Sequence, residues 1–235
     1  MDFQVVLLAG GTSKNLIPLE VPKALLPMAN RRLISYVLEH LEQNNLKDLI
    51  VVVEGKDAAL HVGGWISRAF VDHLHVEVVA VPEDVETAAY FMFLQVISGD
   101  LVSDVPPGAV VASHRRHGEA VTAVLCSAPV SGALEPRSGG GKDKIKKPGR
   151  YDIIGLDTTK QFLLCIATGG EIEKDTRIQK TIPCALGLVE IRSDLMDAHM
   201  YAFKRFVLQE VLDQKDTFQS LKKDVLPYLV QSQLK

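Results

Sequence analysis

No stretch of this sequence comes near the roughly 18 consecutive apolar residues that a membrane-crossing helix requires. Asp2 stands where the basic start of a signal peptide would be. Both absences lead to the expectation of a cytosolic chain without membrane contact. A charge excess is missing as well: 26 Lys and Arg face 29 Asp and Glu, a formal −3. The chain therefore has no global field that would draw it to nucleic acid. Aromatic residues are 6% of the total, too few for a base-stacking platform. Cysteine is scarce, and Cys126, Cys165 and Cys184 are odd in number and too far apart for a C-x-x-C pair. Three buried reduced thiols are expected. What is present is a 235-residue chain that is 47% hydrophobic, enough to build a real core.

The apolar run Gln4 to Ala9 ends in Gly10-Gly11 and reads as a buried strand entering a tight loop. From Arg31 to Asn44 the spacing of Leu33, Ile34, Val37, Leu38 and Leu41 predicts a helix, with Asn30 as N-cap and Asn44-Asn45 as its stop. Leu49 to Val53 is a second buried strand. Asp57 to about His73 has helical spacing despite Gly63-Gly64, and His75 to Val81 is a third strand, stopped by Pro82. Strand, helix, strand, helix, strand implies right-handed crossovers, hence an α/β, doubly wound, mostly parallel sheet with helices on both faces. Such a sheet takes ligands beyond the C-terminal ends of its strands, where the Gly10-Gly11 loop lies.

The second half has a different character. Val121 to Cys126 is read as a strand. Ser131 to Arg150 is rich in Ser, Gly, Pro and Lys and reads as a flexible, solvated loop rather than an anion or RNA contact. Tyr151 to Asp157 and Gln161 to Ala167 suggest a hairpin around Asp157-Thr158-Thr159-Lys160. Leu186 to Ile191 is a further strand, and helices are expected from about Lys204 to Leu212 and Phe218 to Gln231. One domain is expected over 1–235, with 131–150 as its flexible excursion.

Among polar groups, Ser113-His114-Arg115-Arg116-His117 is read as an exposed helix or loop face. His73 and His75 can share one strand face but lack a third ligand for metal. Trp65, Ile66, Phe70 and Val71 are read as core. No Ser/His/Asp nucleophile stands out. The glycine pair lets backbone N–H groups approach phosphate without an intervening Cβ. It is neither the G-x-G-x-x-G of a dinucleotide site nor the G-K-[ST] of a P-loop.

Leu8-Ala9-Gly10-Gly11, then Leu16-x-Pro18-Leu19, then Pro22-Lys23-Ala24-Leu25-Leu26-Pro27-Met28 resembles the opening signature of the sugar-nucleotide pyrophosphorylases. That signature runs roughly L-A-G-G-x-G-T-R-L-x-P-L-T followed by P-K-P-L-L-P-V. The resemblance implies that Gly10, Gly11 and Lys23 hold nucleotide phosphates, and that Asp100 of Ser98-Gly99-Asp100-Leu101 is a magnesium ligand. The cations of such a site offset charge growing on the transferring phosphoryl group. Here Ser13 replaces the third glycine, Lys14 the threonine and Asn15 the arginine, and Leu19 to Pro22 encloses two residues where the enzymes have four. An asparagine cannot replace a guanidinium.

Within that superfamily the chain resembles more closely the gamma-subunit family of eukaryotic translation initiation factor 2B. The likeness is carried by Met1-Asp2-Phe3-Gln4 and by Ser98-Gly99-Asp100-Leu101-Val102-Ser103-Asp104-Val105. Leu195-Met196-Asp197-Ala198-His199-Met200-Tyr201 and Asp224-Val225-Leu226-Pro227-Tyr228-Leu229-Val230 add to it. It implies a non-catalytic scaffold or regulatory subunit that pairs with an epsilon subunit and the other subunits of the factor. That assembly exchanges GDP for GTP on initiation factor 2. No cofactor is required on this reading; a weakly held nucleotide or sugar nucleotide, with Mg2+, is the expected ligand. The competing reading is an active sugar-1-phosphate nucleotidyltransferase. The family's pyrophosphorylase-like domain is followed by a left-handed β-helix, a repeat not seen before Lys235. Val85 to Ile97 offers 13 residues where the family fits a full helix and a strand.

Overall fold

The structure, a computed structural model, describes residues 4–10, 21–70, 73–81, 95–127, 152–157, 162–167, 188–204, 206–207, 218 and 220–233. The chain divides into two compact units, 1–124 with 198–221, and 125–197 with 222–235. The loop expected at 131–150 lies outside the described residues, as do Gly11, Ser13, Lys14, Asn15, Cys184 and the segment 82–94.

The first unit is organised by strand β1, Val5–Leu8. Val5, Val6 and Leu7 are fully buried, which fits a strand covered on both faces. A two-residue hairpin follows from β2 (Pro27–Met28) to β3 (Arg31–Arg32). Its turn residues Ala29 and Asn30 both have positive φ, 48° and 65°, the conformation of a turn that matches strand twist. Asn30 therefore serves the turn and not, as expected, the helix cap. Helix α1 spans Leu33–Gln43, its N-cap is Arg32, and Ser35 Oγ donates to the Arg32 carbonyl at 2.6 Å. Ile34, Val37, Leu38 and Leu41 face the core as their spacing predicted. Asn45, at φ 58°, ends the helix with its N–H on Glu42 O.

Strand β4 (Asp48–Glu54), helix α2 (Lys56–Ala69) and strand β5 (His75–Val81) complete the expected alternation. The helix runs through Gly63-Gly64 and stops at Ala69 rather than near His73; Val62 and Ile66 are its buried residues. Trp65 meets Phe70 edge-on at 6.0 Å, and both pack against the core as read. Strand β6 (Gln95–Ser98) lies parallel to β1 on the side opposite β4.

Besides β6 and the β2–β3 hairpin, a helix and a returning strand were not foreseen in this form. Pro107–His117 is helix α3, ended by Gly118 in the left-handed conformation at φ 64°. The expected exposed face at 113–117 is corrected at His114, which is 3% exposed and has Nδ1 2.9 Å from Thr122 Oγ1. Helical spacing turns His114 inward with Val110 and Val111 while Arg115, Arg116 and His117 stay outside. After β7 (Val121–Ser127), the later strand β11 (Leu195–Phe203) returns to pair antiparallel with β6. The sheet order is β5-β4-β1-β6-β11-β7; its first four strands run parallel and β11 runs antiparallel to β6. Alternate residues enter different clusters. Val5, Leu7, Val51 and Ile97 join residues of α1, α2 and α3, whereas Val6, Ile50, Val52 and Val81 form a separate cluster.

The second unit holds a three-stranded sheet, β10-β8-β9. Strand β8 (Ile153–Leu156) and β9 (Leu163–Ala167) form the expected antiparallel hairpin, and β10 (Glu190–Arg192) joins its other edge. Near the chain end a π-helical turn, Leu221–Val225, leads into helix α4, Leu226–Ser232. Lys222 Nζ holds Asp152 Oδ2 at 2.8 Å, and Gln233 Nε2 donates to Leu163 O at 2.7 Å. Of the thiols expected to be buried, Cys165 is half-buried and burial pushes its pKa up, against a backbone hydrogen bond at Gly155. Cys126 is exposed, a correction that follows from its place near the end of the outer strand β7.

Two measurements check this packing. Burial, followed by the Lys204 charge, pushes His114 below its ordinary value and outweighs Glu119. The unfolded chain then takes up this proton first as acidity rises, so His114 costs stability as pH falls from about 6.5 toward its folded value. Urea unfolding at several pH values should show a shallower loss over that window for His114→Gln than for the parent; parallel slopes would contradict it. Separately, Gly64→Ala places a methyl in open space on a helix and should stabilise by about 0.4–1 kcal/mol in thermal or urea unfolding.

Candidate functional site

The order β5-β4-β1-β6 places a topological switch between β1 and β6. From β1 the chain works outward to β4 and β5, then returns to β6 on the other side. Open α/β sheets leave a crevice at the carboxyl ends of such strands. Here those ends are drawn together. Gly99 N–H donates to Leu8 O at 2.8 Å, and Ala9 N–H donates to Val52 O at 2.8 Å. A Cβ on Gly99 would lie 3.0 Å from Ala9 Cα and 3.1 Å from Leu8 O. Glycine is needed here for close approach of one backbone to another. Gly10 follows directly as a half-buried residue.

Lys23 reaches this place from a 3-10 turn, Lys23–Leu25, entered from Pro22 at φ −51° and ψ 138°. Ala24 and Leu25 are buried, which anchors the turn, and Arg32 Nη1 donates to Leu25 O at 2.7 Å. The turn is closed by Leu25 N–H to Pro22 O at 2.8 Å and Leu26 N–H to Lys23 O at 3.1 Å. Lys23 Nζ then meets Asp100 Oδ2 at 2.5 Å, both side chains being about a third exposed. Ser98 Oγ donates to the other oxygen, Asp100 Oδ1. Burial pushes the Asp100 carboxyl up, but hydrogen bonds from Lys23 and Ser98, with the Lys23 charge, outweigh it and hold the group below the usual carboxylate range.

Sequence reading assigned Lys23 to phosphate and Asp100 to metal as separate duties; the structure joins them across 77 positions. Ser98 was part of the quoted motif but was given no role. Its signal was the i to i+2 spacing to Asp100, which suits a local side-chain hydrogen bond. His40 was missed as well. Its Nε2 donates to Val105 O at 2.9 Å, and Val105 N–H donates to Ser103 Oγ at 3.0 Å, which ties down the loop that leaves Asp100.

Magnesium coordination does not fit this arrangement among the described residues. The Lys23 ammonium already neutralises Asp100 at 2.5 Å and would repel a divalent ion there, and no group of three or more His, Cys, Asp or Glu able to hold a metal ion occurs among the described residues. What the site offers is an ammonium group on a fixed turn, able to trade its carboxylate for a phosphate oxygen. A concavity of about 970 Å³ lies apart from these residues, by Arg31, Glu39, Glu42, Trp65, Phe70 and His73. Within it Arg31 pairs with Glu39 and His73 Nδ1 with Glu42 Oε1 at 2.8 Å, while Arg32, also in the lining, donates to Leu25 O.

Because its folded pKa is depressed, Asp100 adds stability above the ordinary carboxylate range and loses that contribution as pH falls through the folded value. Unfolding of the parent and Asp100→Asn should therefore differ most near neutrality and converge in acid. A gap that widens below the carboxylate range would contradict the ion pair. Gly99→Ala, which forces a methyl against backbone, should cost about 1–3 kcal/mol by the same measurement.

Comparison with known proteins bears on the fold and on the chain as a whole. Residues 5–89 match the family model of the MobA-like NTP transferase domain. Two curated relatives are each named "Translation initiation factor eIF2B subunit gamma". That of Dictyostelium discoideum is 28% identical over 99% of this chain and 58% of its own length. That of Schizosaccharomyces pombe is 24% identical over 99% of this chain and 52% of its own. The chain thus spans about half the length of these relatives. Among solved structures it is similar to a protein assigned as a glucose-1-phosphate thymidylyltransferase from Bacillus anthracis. The TM-score is 0.68 at 15% identity, covering 99% of this chain and 84% of that one. It is also similar to HddC from Yersinia pseudotuberculosis, with TM-score 0.63 and 15% identity over 96% and 86% of the two chains. The fold is nucleotidyltransferase-like, and along 99% of its length the chain is similar to curated proteins named as gamma subunits of translation initiation factor eIF2B.

Proposed function

We propose that this chain serves as a gamma-type subunit of translation initiation factor 2B, a non-catalytic scaffold on a nucleotidyltransferase-like fold. The observation that carries the reading is similarity to gamma subunits along 99% of the chain, not merely across the glycine-loop region. On this reading it pairs with the epsilon subunit and joins the other subunits in the cytosol. The assembly exchanges GDP for GTP on initiation factor 2. No helix among the described residues is long and apolar enough to cross a membrane.

The strand ends retain a reduced role, holding the phosphates of a nucleotide or sugar nucleotide weakly through Gly10, Gly11 and Lys23. Catalysis is not expected. Asn15 stands where the pyrophosphorylases carry an arginine, and losing one such preorganised charge costs roughly 3 to 4 kcal/mol, or 10² to 10³ in rate. The fold itself favours a second reading, an active sugar-1-phosphate nucleotidyltransferase.

The two separate in one pair of measurements. Co-expressed with an epsilon subunit, the tagged chain should co-purify with it. Incubated with sugar-1-phosphate and nucleoside triphosphate, it should release no pyrophosphate above background. Failure to co-purify, together with pyrophosphate release that Lys23→Met abolishes, would replace the scaffold by the enzyme.

A further inference from the structure

Asp100 has two oxygens, and each already accepts a hydrogen bond from the protein: Oδ2 from Lys23 Nζ at 2.5 Å, Oδ1 from the Ser98 hydroxyl. Neither donor is placed by chance. Lys23 stands on a turn pinned by buried Ala24 and Leu25. Ser98 is the last residue of β6, whose parallel register with β1 places it opposite Leu8. Gly99 locks the same turn to Leu8 O. The carboxylate is therefore built with its own cation. A divalent ion seeking Asp100 would have to expel the ammonium or sit within a few ångströms of it, where like charges repel strongly because the site is partly shielded from water.

We propose that Lys23 is the resident counter-cation of Asp100, taking the place of a divalent metal on this carboxylate, and that phosphate received at these strand ends is bound without such a metal. The first half stands on the ion pair alone; the second rests on the phosphate-binding reading above. A sharp consequence concerns the sign of one substitution. Were Asp100 a metal ligand for phosphate binding, neutralising it would weaken that binding. Where it is the competitor of phosphate for Lys23, neutralising it frees the ammonium and removes a nearby negative charge, so binding tightens.

The test uses the full chain, with circular dichroism to confirm folding of each variant. In the first arm Mn2+ is titrated without nucleotide, and paramagnetic broadening of the amide signals of residues 98–101 is followed by NMR. The parent should show no localised broadening, Lys23→Met should gain it, and adding Asp100→Asn to Lys23→Met should abolish it. Localised broadening in the parent, or none in Lys23→Met, overturns the counter-cation. In the second arm inorganic pyrophosphate is titrated by calorimetry in EDTA and in Mg2+. The parent should bind at least as tightly in EDTA, and Asp100→Asn should bind about three- to tenfold tighter. Binding that requires Mg2+, or that Asp100→Asn weakens, overturns metal independence. Absence of pyrophosphate binding in both media overturns the phosphate half, while the Mn2+ arm still decides whether Lys23 excludes the metal.

Discussion

The contact of β6 with β1 at their carboxyl ends governs what the rest of the first unit can do. Gly99 hands its N–H to Leu8 O, and only a residue without a side chain allows backbone so near Ala9. This contact fixes where β6 stops and hence where Asp100 projects. Lys23 is brought to the same point by a separate device, a short turn held by two buried apolar side chains and an arginine on its carbonyl. The ion pair is thus the meeting of two independently anchored backbones, and neither anchor depends on the charges it carries.

This organisation separates what sets the fold from what sits at the strand ends. Sheet order, strand burial and the apolar faces of α1 and α2 are set by hydrophobic spacing, which leaves the loops at the strand ends free to change. Likeness in fold to two solved structures at 15% identity and similarity to gamma subunits at 24–28% are consistent with that division. The core pattern carries the fold, and the loops carry whatever chemistry remains.

Most of the parallel sheet was legible because its strands are continuous apolar runs and its helices have clean spacing. Asn30 misled because asparagine suits both a helix cap and a left-handed turn, and only the pairing of β2 with β3 decides between them. His114 misled because a basic cluster reads as a solvated face unless the helix phase is known; Val110, Val111 and His114 share the phase that Arg115 and Arg116 do not. The site was half legible. Resemblance to the pyrophosphorylase signature nominated Lys23 and Asp100, but a contact spanning 77 residues depends on sheet order, which no local pattern encodes. Strand β11 was quoted as a motif without being read as a strand, since its alternation is interrupted by Asp197 and by His199 at φ 56°.

The insertion of β11 between β6 and β7 has a consequence for the order in which the chain can assemble. During synthesis β7 emerges about seventy residues ahead of its neighbour β11, yet it has no direct place beside β6. Strands β1, β4, β5 and β6 can form a parallel nucleus while the ribosome is still translating the intervening segment. β6 keeps an unpaired edge throughout that interval, and such an edge invites other strands. A nascent chain of this design therefore depends on late closure by residues 195–203, and its exposure to aggregation is set by the time taken to translate what lies between.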